Sequence, residues 1–379
     1  MSSDIVLMLI LAFIIWTSPF IAKLTKLPTP ATEILIGSIL ATYGFIHKNE
    51  YFDLIAEMGF LYLMFLAGLE VDFKKLLKSP LKLIKKGLLF IFFIITLSII
   101  SGYIVGFNAI FIVSLPLISV GLLASLSKLY GKDLKWLELA FVVGVMGEIA
   151  SIITLTILDV ASETGLSIEL AEKVGILFGF IALIVLLYKL LDLVFWWMPE
   201  LKDKLMPQNS SAEQDIRLSM ALFFILIVVM IKLHLELALG AFIAGVALSA
   251  FFHHNHELEE KMGSFGFGFL VPLFFVHVGT TFDLKSIMMD GVLVNALLIV
   301  FLAITVKILG AIALKEYIRF KEGVLLGLSL SMPLTLLVAV ATIGYKTENI
   351  TILNYYSLIL AAILEIIIGM VAIKIIQKY

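Results

Sequence analysis

The chain contains no cysteine, and only 15% of its 379 residues are charged. Without thiols, disulfides, thiolate metal sites and cysteine nucleophiles are excluded. There is no excess of positive charge either. Lys and Arg number 27 against 29 Asp and Glu, a net charge of −2, which offers nothing to a nucleic acid. No Walker loop is present, so no motif points to transport driven by ATP. Neither the H-E-x-x-H nor the G-x-S-x-G pattern occurs, so no enzyme is indicated and no cofactor is implied. The first residues, Met1-Ser-Ser-Asp-Ile, lack a basic n-region and a small-residue cleavage site. They read as the start of a first membrane span and not as a removed signal.

What the chain does have is apolar bulk: 61% hydrophobic residues and a mean hydropathy of +1.12. A soluble domain needs far more polar surface. The apolar runs are continuous over roughly 17–25 residues and do not alternate, which excludes a β-barrel. The expected fold is an all-α polytopic membrane protein of about thirteen spans. These fall roughly at 4–22, 29–46, 54–70, 86–106, 109–127, 136–159, 171–195, 214–232, 236–252, 263–281, 289–313, 322–344 and 352–374. The longest polar connection runs from Pro199 to Arg217, and no soluble domain is expected at either end.

Numbering the loops in order, the odd loops and the C-terminal tail carry 21 Lys and Arg, and the even loops carry 5. Lys307 is left within a span. The basic side faces the cytoplasm. The N-terminus is therefore expected outside and the C-terminus inside, across a cell (inner) membrane.

Two features inside the apolar spans need a reason. Glu148 stands in Phe141-Val-Val-Gly-Val-Met-Gly-Glu-Ile-Ala-Ser. A carboxylate at bilayer depth costs about 3 kcal/mol on insertion scales, so a partner, a cation or a proton must offset it. Lys307 is the only deep base and is expected to be the counter-charge of Glu148. A cation reaching that carboxylate would then displace a proton. Gly147 would allow close approach of a helix or an ion. Ser151 shares a helical face with Glu148, and Thr154 with Ser151. Both offer neutral oxygens suited to a hard monovalent cation.

Proline marks two further places. Pro116 interrupts the fifth span and Pro333 the twelfth, seven spans later. An interior proline breaks a helix, and neighbouring Ser or Thr can satisfy the freed backbone groups. Candidates for that task are Ser119 near the first break and Ser331 and Thr335 near the second. Matched breaks in two halves of opposite orientation point to an inverted repeat with a midplane site. Glu365 lies in the span that this repeat would pair with that of Glu148. Glu33, Glu70, Asp72 and Asp159 are expected at span ends beside water, and His277 as a packing histidine. His253-His254-Asn255-His256 is expected as a solvated loop, and Gly240-Ala-Phe-Ile-Ala-Gly as a small-residue packing stripe.

Three runs also resemble one family. Leu66-Ala-Gly-Leu-Glu-Val-Asp, Gly240-Ala-Phe-Ile-Ala-Gly-Val-Ala-Leu-Ser, and His256-Glu-Leu-Glu followed by Pro272-Leu-Phe-Phe-Val-His-Val-Gly are similar to runs of the second monovalent cation:proton antiporter family. This is the group of Kef-type potassium and Nap-type sodium transporters. The resemblance implies thirteen helices, two broken helices crossing at the midplane, and a homodimer. It implies a moving core of residues 86–159 and 289–379 and a dimerisation scaffold of 1–85 and 171–288. It places Glu148 at the ion-binding carboxylate and Lys307 at the lysine that pairs with it in sodium-type members.

The sequence departs from the family at four points. Glu replaces Asp at 148, and Gly147 stands where an Asp, Asn or Gln is usual. Pro116, Leu117 and Ile118 replace a Ser/Thr break, and the second break lacks its usual acid. The expected activity is exchange of Na+, or alternatively K+, for H+ at one carboxylate, electroneutral and one-for-one, by elevator-like alternating access. The other readings are a Na+-coupled organic-anion transporter on the same fold and a K+ efflux channel-like protein.

Overall fold

In the computed structural model the described residues are 3–25, 27, 29–46, 50–70, 79–120, 122–123, 126, 130–131, 134–164, 168–198, 200, 213–233, 235, 237–252, 256–281 and 289–378. Among them the chain is entirely helical, with no strand. Eight helices are long and apolar enough to cross a membrane, and nine if one bent pair counts as a span. The chain is a multi-pass membrane protein. Within the spans expected at 29–46, 109–127 and 236–252 the described helices include Thr29–Thr42, Ala109–Ser114 and Leu237–Phe252, of 14, 6 and 16 residues. Residues 171–195 lie within the 30-residue helix Ile168–Trp197.

The helix Leu81–Val105 shows how these sequences meet the bilayer. It begins after Pro80, which has no N–H to leave unpaired. It ends at Gly106, whose φ of 80° closes the helix in the left-handed region open to glycine. One face, Leu83, Gly87, Phe90, Ile94, Ser98 and Gly102, is buried. Leu88, Phe92, Ile95, Ile99 and Tyr103 stay exposed on the other side. Both faces are apolar because lipid covers the second, so packing relies on close fit and small residues.

The chain forms two compact units. Residues 1–56, 78–155 and 272–379 make the first, and residues 57–77 and 156–271 the second. Within the second unit, the helices Glu50–Glu70 and Leu237–Phe252 cross where their backbones touch. A Cβ on Gly68 would lie 2.1 Å from the Phe242 carbonyl oxygen, and one on Gly245 would lie 2.1 Å from that of Phe65. The expected small-residue stripe is therefore a crossing point. Within the first unit the helices Thr29–Thr42 and Val271–Thr281 cross in the same way. Gly37 meets the backbone of Val276, and Gly279 meets that of Ile34.

The first unit also contains both proline segments. We label its main helices α1 (Lys135–Thr164), α2 (Val292–Gly310), α3 (Phe320–Ser329), α4 (Leu334–Lys346) and α5 (Ile352–Lys378). Helix α5 packs heavily on α2 and α4 and also meets α3. The buried face of α2 runs through Ala296, Ile299, Val300, Ala303, Val306, Lys307 and Gly310. Lys307 thus points inward and is fully buried. Glu365 lies on the buried face of α5.

Candidate functional site

The first proline segment follows a short helix, Ala109–Ser114, whose first turn is capped by Asn108. Its side chain accepts the Phe111 N–H at 3.0 Å. The helix stops at Leu115-Pro116, and residues 117–120 are not helical. A proline cannot donate, so the helical ladder loses a bond at Pro116 even though Leu115 itself keeps helical dihedrals. The backbone groups freed here are buried, and each unpaired one would cost about 1–3 kcal/mol.

Side chains from two helices meet those groups. Lys307 Nζ on α2 donates to the Leu115 carbonyl at 3.1 Å. Ser151 Oγ on α1 accepts the Ile118 N–H at 2.9 Å and donates to the Gly147 carbonyl at 2.8 Å. Glu148 accepts from Ser119 Oγ at 3.1 Å on Oε1, and from the Val120 N–H at 3.4 Å on Oε2. The carboxyl of Glu148 is fully buried. Two carboxylate oxygens offer about four acceptor positions, so positions remain for a proton or a hard cation. Ser151 is more committed: its proton and one of its lone pairs already hold the break. Thr154 donates to the Ala150 carbonyl at 2.7 Å and keeps its acceptor capacity.

A cavity of about 20 Å³ lies against this segment, lined among others by Pro116, Leu117, Gly147, Ser151 and Thr154. That is room for about one water or one small ion. Gly147 faces Ile118, and a Cβ on it would lie 2.4 Å from Ile118 Cδ1. Its missing side chain makes room for the break segment.

The second proline segment joins α3 to α4 with a bend of 49°. Ser331 Oγ donates to the Gly327 carbonyl at 2.6 Å, and Ser329 Oγ to that of Leu326 at 2.8 Å. Pro333 stands immediately before α4, where its missing N–H is harmless. Thr335 is half-buried in the first turn of α4. Gly144, one turn before Glu148, touches both segments. A Cβ there would lie 2.9 Å from Val120 Cγ1 and 3.1 Å from Leu330 Cδ2. The two interrupted stretches therefore meet against α1, beside the buried acid.

One expectation is corrected. Lys307 and Glu148 form no ion pair among the described residues; Lys307 Nζ donates instead to the Leu115 carbonyl, and its helix packs on α5, which carries Glu365. The reason is packing. Helix α2 lies on α5, which presents Glu365, whereas Glu148 is held by Ser119 and Val120. Glu33 is a second correction, because it is buried and accepts from Ser18 Oγ at 2.9 Å. The serine stands on the packed neighbouring helix and takes the place of interfacial water. His277 is half-buried, 2.8 Å from Asp53 and edge-to-face with Phe52. Asp72, His253, His254 and Asn255 lie outside the described residues, as do the side chains of Glu70, Asp159 and His256. Sequence reasoning missed Leu115, Ile118 and Val120, which act through their backbones. Proline nearby was the only signal for them.

Residues 8–378 match the family described as sodium/hydrogen exchanger, transmembrane. The chain belongs to that family. Exchanger relatives carry the likeness along nearly the whole length. YjbQ of Bacillus subtilis (strain 168), named for Na+/H+ antiport, is 27% identical over 402 residues, covering 99% of this chain and 63% of YjbQ. The chain thus spans less than two thirds of that relative. The Na+/H+ antiporter of Enterococcus hirae is 23% identical over 374 residues, covering 94% of each. Among solved structures, the sodium proton antiporter MjNhaP1 from Methanocaldococcus jannaschii at pH 8 superposes with a TM-score of 0.68. At 15% identity over 99% of both chains, that likeness speaks for the fold of an exchanger.

Proposed function

We propose that the chain is a secondary active antiporter that exchanges a monovalent cation for a proton, with Na+ as the first substrate and K+ as the alternative. The observation that carries this is the fully buried Glu148, bound to the hydroxyl of Ser119 and the N–H of Val120 on an interrupted segment. A carboxylate so placed can hold either a proton or a hard cation, and the two compete for it. Na+ is cargo here, taken by Glu148 with the Ser119 hydroxyl beside it. Because one carboxyl alternates between the two cargoes, exchange is one-for-one and electroneutral. Membership in the exchanger family supports the same activity.

The finer architecture belongs to this proposal. Thirteen spans in two inverted halves would place the Gly37–Val276 crossing and the Gly68–Phe242 crossing in equivalent positions. Spans two and ten would make one, and spans nine and three the other. Both halves would contribute a broken helix, meeting beside Gly144. Residues 86–159 and 289–379 would move as a core past the scaffold 1–85 and 171–288 in an elevator-like cycle. The unit would be a homodimer in a cell (inner) membrane, with the N-terminus outside and the C-terminus in the cytoplasm.

Purified protein in proteoliposomes with a pH-sensitive dye inside tests the activity. A Na+ or K+ gradient should drive proton flux in the wild type. Glu148→Gln should fall to the rate of empty liposomes. Flux that survives the substitution would remove Glu148 from the site. A strong response of the rate to imposed voltage would overturn one-for-one coupling.

A further inference from the structure

Glu365 is a buried carboxyl that the exchange described above does not use. It is 1% exposed, and among the described residues its Oε2 has no hydrogen-bond partner. A buried carboxylate oxygen without a donor is costly, and native proteins retain few such atoms unless something binds there. Its position is not arbitrary. Glu365 lies 32 residues after Pro333, and Glu148 lies 32 residues after Pro116. One turn beyond Glu365, Gly369 sits against Met332 Sδ and the Leu328 carbonyl, so this face of α5 covers the second interrupted segment. Glu365 thus has the same sequence offset from the second break as Glu148 has from the first, on the helix that covers that break.

The surroundings narrow what can bind. Helix α2, which carries the buried Lys307, packs along α5, and among the described residues no ion pair joins Lys307 to Glu365. Helix α3 and the segment after it offer Leu328 and Met332 on this side, and the charged residues of α3, Lys321 and Glu322, lie in its first turn. The titratable residues of α4, Tyr345 and Lys346, stand at its far end, where Tyr345 stacks on Tyr355. On α5 itself Lys374 and Lys378 are exposed. A second cation beside Lys307 would be repelled. A proton is the ligand that fits.

We propose that Glu365 is a second proton-binding site, which governs cation affinity at Glu148 through the charge of Lys307. It rests on the antiport reading above. With Glu365 ionised, its charge balances Lys307, and the segment Leu115–Val120 that Lys307 holds presents no excess positive charge. With Glu365 protonated, Lys307 is uncompensated and opposes a cation at that segment. The proton at Glu365 does not cross the membrane with the cargo, so one-for-one exchange is preserved. Protons therefore weaken cation binding twice, by competition at Glu148 and by repulsion through Lys307.

The test is cation binding to the purified full chain, titrated with NaCl from pH 5 to 9 and read as thermal stabilisation. In the wild type the logarithm of the apparent Kd should fall with pH with a slope of one from Glu148, rising to about 1.5 over the range where Glu365 titrates, the most that tenfold coupling can add. Glu365→Gln, fixed in the neutral form, should bind Na+ about tenfold more weakly at high pH, an ordinary size for coupling between sites. Its slope should drop to one. The double variant Lys307→Met/Glu365→Gln should recover affinity while keeping a slope of one. A slope that still rises to the wild-type value in Glu365→Gln, or that rises above one in the double variant, would overturn the proposal. Failure of the exchange reading is separate, because it would appear as unchanged binding and flux in Glu148→Gln.

Discussion

Gly147 and Ile118 share one space. A side chain at 147 would begin 2.4 Å from Ile118 Cδ1 and 3.0 Å from Ile118 Cβ. The residue before the buried acid is therefore held to glycine by the interrupted segment packed against it. Ile118 also donates its N–H to Ser151, so it cannot move away without breaking that bond.

Gly147→Ala should destabilise the protein by about 1–3 kcal/mol, the usual cost of overpacking a tight interior. Shortening the neighbour should relieve it. Gly147→Ala/Ile118→Ala is expected to be less destabilised than the sum of its two single variants, measured by thermal unfolding in detergent. Non-additivity is the expected mark of residues in contact. Strictly additive losses in the double variant would mean that the two do not compete for space.

The glycine crossing of the second unit gives a harsher expectation. At Gly245 the obstructing atoms are the Phe65 carbonyl and the Leu69 amide, 2.1 and 2.7 Å from an added Cβ. Backbone cannot rotate aside as a side chain can. Gly245→Ala should cost about 3 kcal/mol or more and sharply reduce the yield of folded protein. Gly179→Ala is the control. It has nothing within 4 Å and sits inside the helix Ile168–Trp197, so alanine should be neutral or stabilising by up to about 1 kcal/mol. Size-exclusion recovery of the two variants checks this.

Outside the spans, Glu316 is clasped by Lys86 Nζ at 2.8 Å and Lys82 Nζ at 2.9 Å. Their hydrogen bonds and charges pull its carboxyl from 4.5 down to about 2. A carboxyl depressed in the folded state stabilises above its unfolded value and loses that contribution as pH falls. The difference in melting temperature between wild type and Glu316→Gln should be constant above about pH 4.5. It should then close as pH falls toward 2. The side chains are exposed, so the difference should be small and shrink further in high salt. A difference that persists unchanged at pH 2 would show that the clasp does not depend on the ionised carboxyl.

Much of this molecule is legible in its sequence. Continuous apolar runs require helices in lipid, because no water is present to satisfy open backbone. Pro116 and Pro333 foretell interruptions. Glu148 and Lys307 announce themselves because charge inside an apolar run is expensive. The exchanger family was visible in runs such as Gly240-Ala-Phe-Ile-Ala-Gly. Pairing was not legible in this way. Depth in the apolar runs points to a Lys307–Glu148 pair, whereas the fold sets Lys307 on the Leu115 carbonyl and lays its helix along α5, the helix of Glu365. Glu33 was expected beside water and instead meets Ser18 on a neighbouring helix.

By itself, then, the sequence determined the solvent this chain lives in, its all-helical character, the places where proline interrupts it, and the residues that need a reason to be buried. These follow from local terms, namely the transfer cost of each side chain and the backbone limits of proline and glycine. Tertiary structure alone decided which buried groups satisfy one another. Glu148, Ser151 and Lys307 come from two helices far apart in sequence, yet all three hold the same few peptide groups between Leu115 and Val120. Which acid faces which base depends on the angle and register at which helices cross, and that is set by contacts such as Gly144 against Val120 and Leu330.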